Sequence, residues 1–597
     1  MKRRLESTLF IADTPLKPCR GPVEGACVEL DGEPFYRITN YSLMPPFLMS
    51  LVSDSDHWFF ISSNGALTAG RRDPDHALFP YYTDDRIHDS QDQTGSVTLL
   101  RVARDGKTYL WEPFSQRTEG LYRGSRCLYK SAFGNTIIFE EVNDDLALVF
   151  SYAWTTSERF GFVRRSAVTN RGGAPARIEL LDGIQNIMPY GLTRRFQVEF
   201  STLADGYRES ELMLPTGLGI FRLSSIPTDK AEPSEALRVT TVWSEGLDDP
   251  QILLSPSSPD RFRRGASVPE ETNIRGRRGA YLVSARLDLP PDNRKEWLVV
   301  ADVSQDAADV RATLERLMAG KSLVGEVKAD SARGTTNLVR VVAGADGLQL
   351  TADQLSTWRH FSNALFNSMR GGVPDSGYLV SRADLISFIQ TANHAVAARQ
   401  ADFLESLPDT ILHGALLSQA EERKDPDLRR LTREYLPFTF SRRHGDPSRP
   451  WNTFTIDLKN DRGERILTYQ GNWRDIFQNW EALALSFPGF IESMVFKFLD
   501  ASTADGYNPY QITRDGFDWE TIKTHDPWSH IGYWGDHQVI YLLKLLEESD
   551  RYHPHALRDL LARPVFTYAN VPYRIKPYEA LLRNPRRTID LDGALQS

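Results

Sequence analysis

Through the first three hundred residues, apolar positions come in short runs and not in helical stripes. Trp58-Phe59-Phe60-Ile61, Ser96-Val97-Thr98-Leu99-Leu100, Thr136-Ile137-Ile138-Phe139, Leu146-Ala147-Leu148-Val149-Phe150 and Ala176-Arg177-Ile178-Glu179-Leu180-Leu181 are such runs. Turn residues separate them, as in Asp105-Gly106 and Asn170-Arg171-Gly172-Gly173. Many short strands with few helices predict a large sandwich of antiparallel sheets. Beyond residue 350 the spacing turns helical. Leu355, Trp358, Phe361, Leu365 and Phe366 share one side of a helix predicted over 351–369, with Thr351 or Asp353 as its N-cap. A second helix is predicted from Ser381 to Leu407, with Ser381 as cap and Asp384 three residues on. Further helices are expected over 425–435, 472–486, 489–501, 536–549 and 555–561. The polar stretch between the two patterns contains scattered glycines and reads as a linker. The expected division is a sandwich over 1–325, a linker over 326–350 and a helical domain over 351–597. Two long aperiodic stretches, 437–469 and 505–532, remain as loops of a length that usually carries function.

Composition narrows the partners. The chain has 70 basic and 79 acidic residues and a net charge of −9, so nucleic acid is not an expected partner. The clusters Arg261-Phe262-Arg263-Arg264 and Arg275-Gly276-Arg277-Arg278 read as solvated loops. Three cysteines, Cys19, Cys27 and Cys127, are too few for a disulfide framework and point to a reduced compartment, with a Cys19–Cys27 bridge as the minor alternative. Met1-Lys2-Arg3-Arg4 imitates the start of a signal peptide, but Glu6, Asp13 and Pro15 interrupt the apolar stretch that should follow. No run approaches the ~18 apolar residues of a membrane span. A cytoplasmic protein is expected, with a homodimer as the assembly to test.

The candidate chemistry is concentrated between Trp451 and His537, which holds six of the twelve tryptophans. Its core reads Gly471-Asn472-Trp473-Arg474-Asp475, Trp480-Glu481, Tyr507-Asn508-Pro509-Tyr510 and Asp526-Pro527-Trp528-Ser529-His530-Ile531-Gly532-Tyr533-Trp534-Gly535-Asp536-His537. Indole faces stack on the weakly apolar faces of sugar rings, while carboxylates, amides and imidazoles bond the hydroxyl edges. Carboxylates in such a cleft are also what glycosidic-bond cleavage needs. Asp475, Asp526 and Asp536 are therefore the candidate catalytic acids. Trp473, Arg474, Glu481, Tyr507, Tyr510, Trp528, His530, Trp534 and His537 are the candidate substrate contacts. Trp473 and Trp480, seven residues apart, equally suit a helix core. His525, Asp526, His530, Asp536 and His537 lack the i, i+4 histidine pair of a zinc helix and any nearby Cys, so no metal is expected. Arg370-Gly371-Gly372-Val373-Pro374 lacks the Gly-Lys-Ser/Thr of a phosphate loop and reads as a helix terminator.

Several of these segments resemble cellobiose phosphorylase-like enzymes and the wider six-hairpin (α/α)6 glycosidases. Phe59-Phe60-Ile61-Ser62-Ser63-Asn64-Gly65-Ala66-Leu67-Thr68-Ala69-Gly70-Arg71-Arg72 with Phe79-Pro80-Tyr81-Tyr82, and Val168-Thr169-Asn170-Arg171-Gly172, look like parts of the phosphorylase-type sandwich. Asn472-Trp473-Arg474-Asp475 is similar to the Asp-Trp-Asn-Asp-Gly segment carrying the general acid of such phosphorylases, with Asn472, Arg474 and Ile476 as departures. The resemblance implies a β-super-sandwich followed by an (α/α)6-type helical toroid, incomplete because six helical hairpins need more chain than 351–597. It implies glycosidic-bond cleavage in an oligosaccharide or glucan, by phosphorolysis or hydrolysis, with Asp475 as proton donor. No cofactor is implied, and inorganic phosphate enters as a candidate co-substrate. The alternative is a catalytically silent sugar-binding or oligomerisation module, or one fragment of a longer glycosidase.

Overall fold

The structure, a computed structural model, describes residues 8–19, 21–228, 231–232, 234–442, 445–449, 454–460, 463–521 and 539–596. The chain divides into two compact units, Met1–Leu338 with Gly445–Asn452 and Val339–His444 with Thr453–Ser597.

The first unit is built on antiparallel sheets. One has eleven strands among the described residues, in the spatial order Asn273–Arg275, Arg208–Met213, Leu218–Leu223, Val239–Glu245, Arg294–Gln305, Gly161–Asn170, Leu148–Ser157, Ile137–Asn143, Gly124–Ser131, Glu33–Thr39 and Glu24–Leu30. A second has five, in the order Lys107–Trp111, Gly95–Arg104, Ala176–Ile187, Gly279–Leu289 and Gln251–Leu253. The strands that matter most are β1 (Gly95–Arg104), β2 (Gly161–Asn170), β3 (Ala176–Ile187), β4 (Gly279–Leu289) and β5 (Arg294–Gln305). Phe139, Phe150, Trp154, Phe162 and Trp297 from the large sheet share one buried cluster with Leu100, Leu180, Ile184, Tyr281 and Val283 from the small one. The outer faces are covered too. Val163, Leu298 and Val300 pack with Val310, Leu314 and Leu317 of α1 (Ala307–Met318), and Leu99, Leu181 and Leu282 pack with Phe262. Cover on both sides explains why β2 and β3 read as nearly continuous buried runs and not as clean alternation.

One ion pair sits wholly inside this sandwich. Arg164 on β2 and Asp182 on β3 are both fully buried. The guanidinium holds the carboxylate with two bonds of 2.6 and 2.9 Å, and Asp182 also accepts from Thr98 Oγ1 at 2.6 Å and Trp297 Nε1 at 2.7 Å. Ser96 and Ser166 take further Arg164 N–H groups.

The segment expected to be a linker is instead mostly α2 (Val324–Gly344), and the division between units falls inside it. Val327, Leu338 and Val342 are buried at near-helical spacing, so one apolar stripe suffices on an otherwise polar helix.

In the second unit α3 (Gln354–Gly371) is capped by Asp353, whose side chain accepts from the Leu355 and Ser356 amides, and it stops at Gly372, which has φ +81°. The single helix expected over 381–407 is three: α4 (Arg382–Ala392), α5 (His394–Arg399) and α6 (Ala401–Ser406). Asn393 interrupts the pattern because its side chain caps α5 by accepting from the Val396 amide. α7 (His413–Glu422) and α8 (Pro426–Glu434) follow, the latter with Asp425 as cap. Then come α9 (Trp473–Ser486), α10 (Ile491–Ala501) and α11 (Val539–Tyr552). All three cysteines are free thiols, so the Cys19–Cys27 bridge is not made.

Removing one partner of the sandwich's buried ion pair leaves the other charge uncompensated. Arg164→Met or Asp182→Leu is expected to cost about 3–5 kcal/mol each, and the double variant less than either single one. Denaturant unfolding of the full chain checks this, and additive losses would refute it.

Candidate active site

α9 begins where a small antiparallel sheet hands the chain over. Gln470–Asn472 pairs with Gln511–Thr513, which pairs with Phe517–Asp518. The Trp473 amide donates to the Tyr510 carbonyl at 2.9 Å, and the Tyr510 amide donates to Asp518 at 2.9 Å. These bonds fix the start of α9 and put Asp475 in its first turn. The Asp475 side chain is 17% exposed, with Arg474 Nε 3.8 Å from its Oδ1. Glu481 is half-buried on the same helix, and six residues at 100° each put it about 120° around the axis from Asp475.

Trp473 is 1% exposed and packs against Phe477, Phe498 and Phe517, so its indole is part of the core and not an open platform. Its partner by spacing, Trp480, is equally buried and donates to the Gly371 carbonyl at 2.7 Å. Tyr507 is also buried; its hydroxyl donates to Glu520 at 3.1 Å, and its ring lies beside the stacked pair of Trp519 and Tyr573. Tyr510 is half-buried. Asp526, Trp528, His530, Trp534, Asp536 and His537 lie outside the described residues.

A second group of charges was not anticipated. Glu434 ends α8 and Asp500 lies near the end of α10. Arg430 Nη1 is 2.5 Å from Glu434 and 4.0 Å from Asp500 Oδ2, while Asp500 Oδ1 accepts the Thr567 amide at 2.7 Å. Burial first, and the Glu434 carboxyl second, push the Asp500 acid far above the usual carboxylate range. Asp500 Oδ2 accepts no amide or hydroxyl among the described residues, which fits a carboxyl that burial keeps in its neutral form. Lys497, one turn earlier, is also buried. Its Nζ donates to the Arg514 carbonyl at 3.4 Å and faces Phe388 and Phe517, and burial pulls its ammonium pKa down. Arg514 in turn donates to Asp384 Oδ1 at 2.8 Å, whose other oxygen accepts the Tyr435 hydroxyl at 2.7 Å. Asp384, expected to close a capping box, is thus spent on tertiary contacts. The signal available in the sequence was Lys497 and Asp500 among the apolar residues that follow Ser493 in α10.

A sandwich unit followed by a helical unit carrying an accessible acid defines the class of architecture. Residues 375–437 match the model of glycoside hydrolase family 149 insertion domain 1, a domain described from carbohydrate-active enzymes. The segment has its own core, from Val380, Leu385 and Phe388 through Leu404 and Leu416 to Leu431 and Tyr435. Among solved structures the chain is similar to a bacterial glucoamylase complexed with acarbose, at 13% identity over 70% of this chain and 58% of that one, with a TM-score of 0.29. It is also similar to a presumed kojibiose phosphorylase from the human microbiome, at 8% identity over 87% of this chain and 56% of that one, with a TM-score of 0.28. The chain therefore spans little more than half of either. At these TM-scores neither likeness carries an argument about activity. No curated protein matches the chain. No helix among the described residues is long and apolar enough to cross a membrane.

The raised Asp500 acid sets a direction for stability against pH. The native state binds that proton more tightly than the unfolded chain does, so its contribution is full below the ordinary carboxylate range and is lost as pH rises through neutral towards alkaline values. Asp500→Asn cannot ionise, and the stability difference between variant and wild type is expected to shift in favour of the variant as pH rises. Denaturant midpoints measured across that range check this; a pH-independent difference would refute it.

Proposed function

We propose that this chain is a carbohydrate-active enzyme that cleaves a glycosidic bond in an oligosaccharide or glucan, with the chemistry in the helical unit. The match of residues 375–437 to a glycoside hydrolase family 149 insertion domain carries the reading. Asp475 is the proposed proton donor: it is in the first turn of α9, half-buried yet reachable, and beside a guanidinium. The acid gives its proton to the leaving glycosidic oxygen as the bond to the anomeric carbon breaks. The attacking oxygen comes from water in hydrolysis, activated by a second carboxylate, or from inorganic phosphate in phosphorolysis. Arg474 is a proposed contact for either substrate or phosphate, since a guanidinium presents a planar fork of donors to oxyanions.

Product analysis decides between the routes. Alpha- and beta-linked gluco-oligosaccharides are incubated with and without inorganic phosphate, using wild type and Asp475→Asn. A sugar 1-phosphate formed only with phosphate marks phosphorolysis, and free sugar in both buffers marks hydrolysis. In either case Asp475→Asn is expected to lower turnover by about 10²–10⁴-fold. No turnover by the folded wild-type chain refutes the enzyme reading, and an unaffected Asp475→Asn refutes the assignment of the donor.

A further inference from the structure

The first unit holds a cleft of about 730 Å³ whose wall is unusually rich in primary amides: Asn64, Gln91, Gln93, Gln116, Gln185 and Asn186. A smaller recess adjoins it, sharing Asn64, Gln91 and Gln185 and reaching Tyr152. Two of them, Gln185 and Asn186, are placed there by a local break in the sheet. β3 pairs with β4 in regular register as far as Gln185, and the register then shifts by one residue before Ile187 meets Gly279. Asn186 is the extra residue, with φ +60°, a left-handed conformation that a non-glycine residue adopts at a cost. A bulge of this kind in an interior strand re-aims side chains that regular pleating would send elsewhere.

Asn186 is 2% exposed; its Nδ2 donates to Thr94 Oγ1 at 2.9 Å, and its Oδ1 has no partner. Turning the amide over exchanges its two ends, and one of them stays unbonded either way. An open hydrogen-bonding group in a strained, buried position within a cleft wall is costly to the fold alone.

The cationic side chains around the cleft each face a carboxylate, and Asp89 and Asp260 add further acids to its wall. Arg117 faces Asp92 at 3.2 Å, Arg263 bonds Glu112 at 2.8 and 3.0 Å, Arg278 faces Asp205 at 3.3 Å and His88 faces Asp84 at 3.2 Å. No cationic surplus is left to hold a phosphate or carboxylate. Four of the amides each spend one N–H inside the protein, Asn64 on the His88 carbonyl, Gln91 on the Phe114 carbonyl, Gln185 on the Asp92 carbonyl and Asn186 on Thr94. Their second N–H groups and the Gln93 and Gln116 amides leave the wall a mixture of neutral donors and acceptors, the complement of hydroxyls that each give and take a hydrogen bond. We propose that this cleft is a binding site for a neutral saccharide, separate from the chemistry assigned to Asp475. The choice of saccharide over another polyol rests on the carbohydrate reading above; the amide wall itself does not.

The test is hydrogen exchange read by mass spectrometry on the full chain, with gluco-oligosaccharides as probes and inorganic phosphate as the anionic control. Saccharide is expected to slow exchange in peptides covering 88–97, 112–118 and 183–187, while phosphate alone leaves them unchanged. Gln93→Leu with Gln116→Leu removes two amides from the wall. It is expected to weaken the saccharide effect at least about tenfold in midpoint concentration, as the loss of one or two hydrogen bonds implies, with the thermal unfolding midpoint kept. Asp475→Asn is expected to leave the protection intact, so failure of the catalytic reading and failure of this one are told apart. Protection that is absent with every saccharide, that phosphate reproduces, or that the double variant retains would overturn the proposal.

Discussion

The sandwich is organised around the Arg164–Asp182 pair. An ion pair with no water contact is not a source of stability in itself, because desolvating both charges costs about as much as their attraction returns. Its effect lies in what it forbids. Asp182 takes four hydrogen bonds, from Arg164 twice, Thr98 and Trp297, and these donors come from β1, β2 and β5. A slip of one residue in β2 would leave two charges buried and unpaired, and a slip in β1 or β5 would strip a hydrogen bond from the buried carboxylate. Apolar runs such as Leu148-Val149-Phe150 and Leu298-Val299-Val300 are permissive about register, since any large side chain fills the same space. The pair supplies the specificity those runs lack, and the bulge at Asn186 sits four residues farther along the same strand.

That division of labour explains what was legible in the sequence. Short β-branched and aromatic runs locate strands because burial selects them one residue at a time, and the sandwich followed by helices was readable from period alone. β3 was read only as far as Leu181, since its continuation, Asp182 to Asn186, has Ile184 as its one apolar side chain. Those residues are strand because partners on other strands satisfy them, which no local pattern displays. The helix within the expected linker was hidden for the converse reason. Residues 326–344 look polar and Gly-containing, but a helix with one covered face needs apolar residues only at spaced points such as Val327, Leu338 and Val342.

The helical unit shows the same limit in its chemistry. Asp475 and Glu481 were legible as helix positions, and the seven-residue spacing of Trp473 and Trp480 was legible as core. The group around Asp500 was not, because Asp384, Glu434, Lys497 and Arg514 come from four separate segments and meet only in the fold. It also joins the segment 375–437 to α10, through Arg430 and Glu434 on one side and Asp500 on the other. A domain with its own apolar core is thereby tied to its host by titratable groups and not by apolar packing alone.

Perturbed titration is often taken to mark catalytic acids, and by that criterion Asp500 would be a candidate. Access argues the other way. The Asp500 side chain is 4% exposed, one oxygen is held by the Thr567 amide and the other faces Glu434. A carboxyl buried this deeply presents almost no surface to a glycosidic oxygen. A proton donor must be able to lose its proton to a substrate atom at hydrogen-bond distance, and a sealed carboxyl pair is built to keep it. Asp475 carries a more exposed carboxyl at a fixed helix start. The sequence places the remaining candidate acids, Asp526 and Asp536, among the tryptophans and histidines of 525–537.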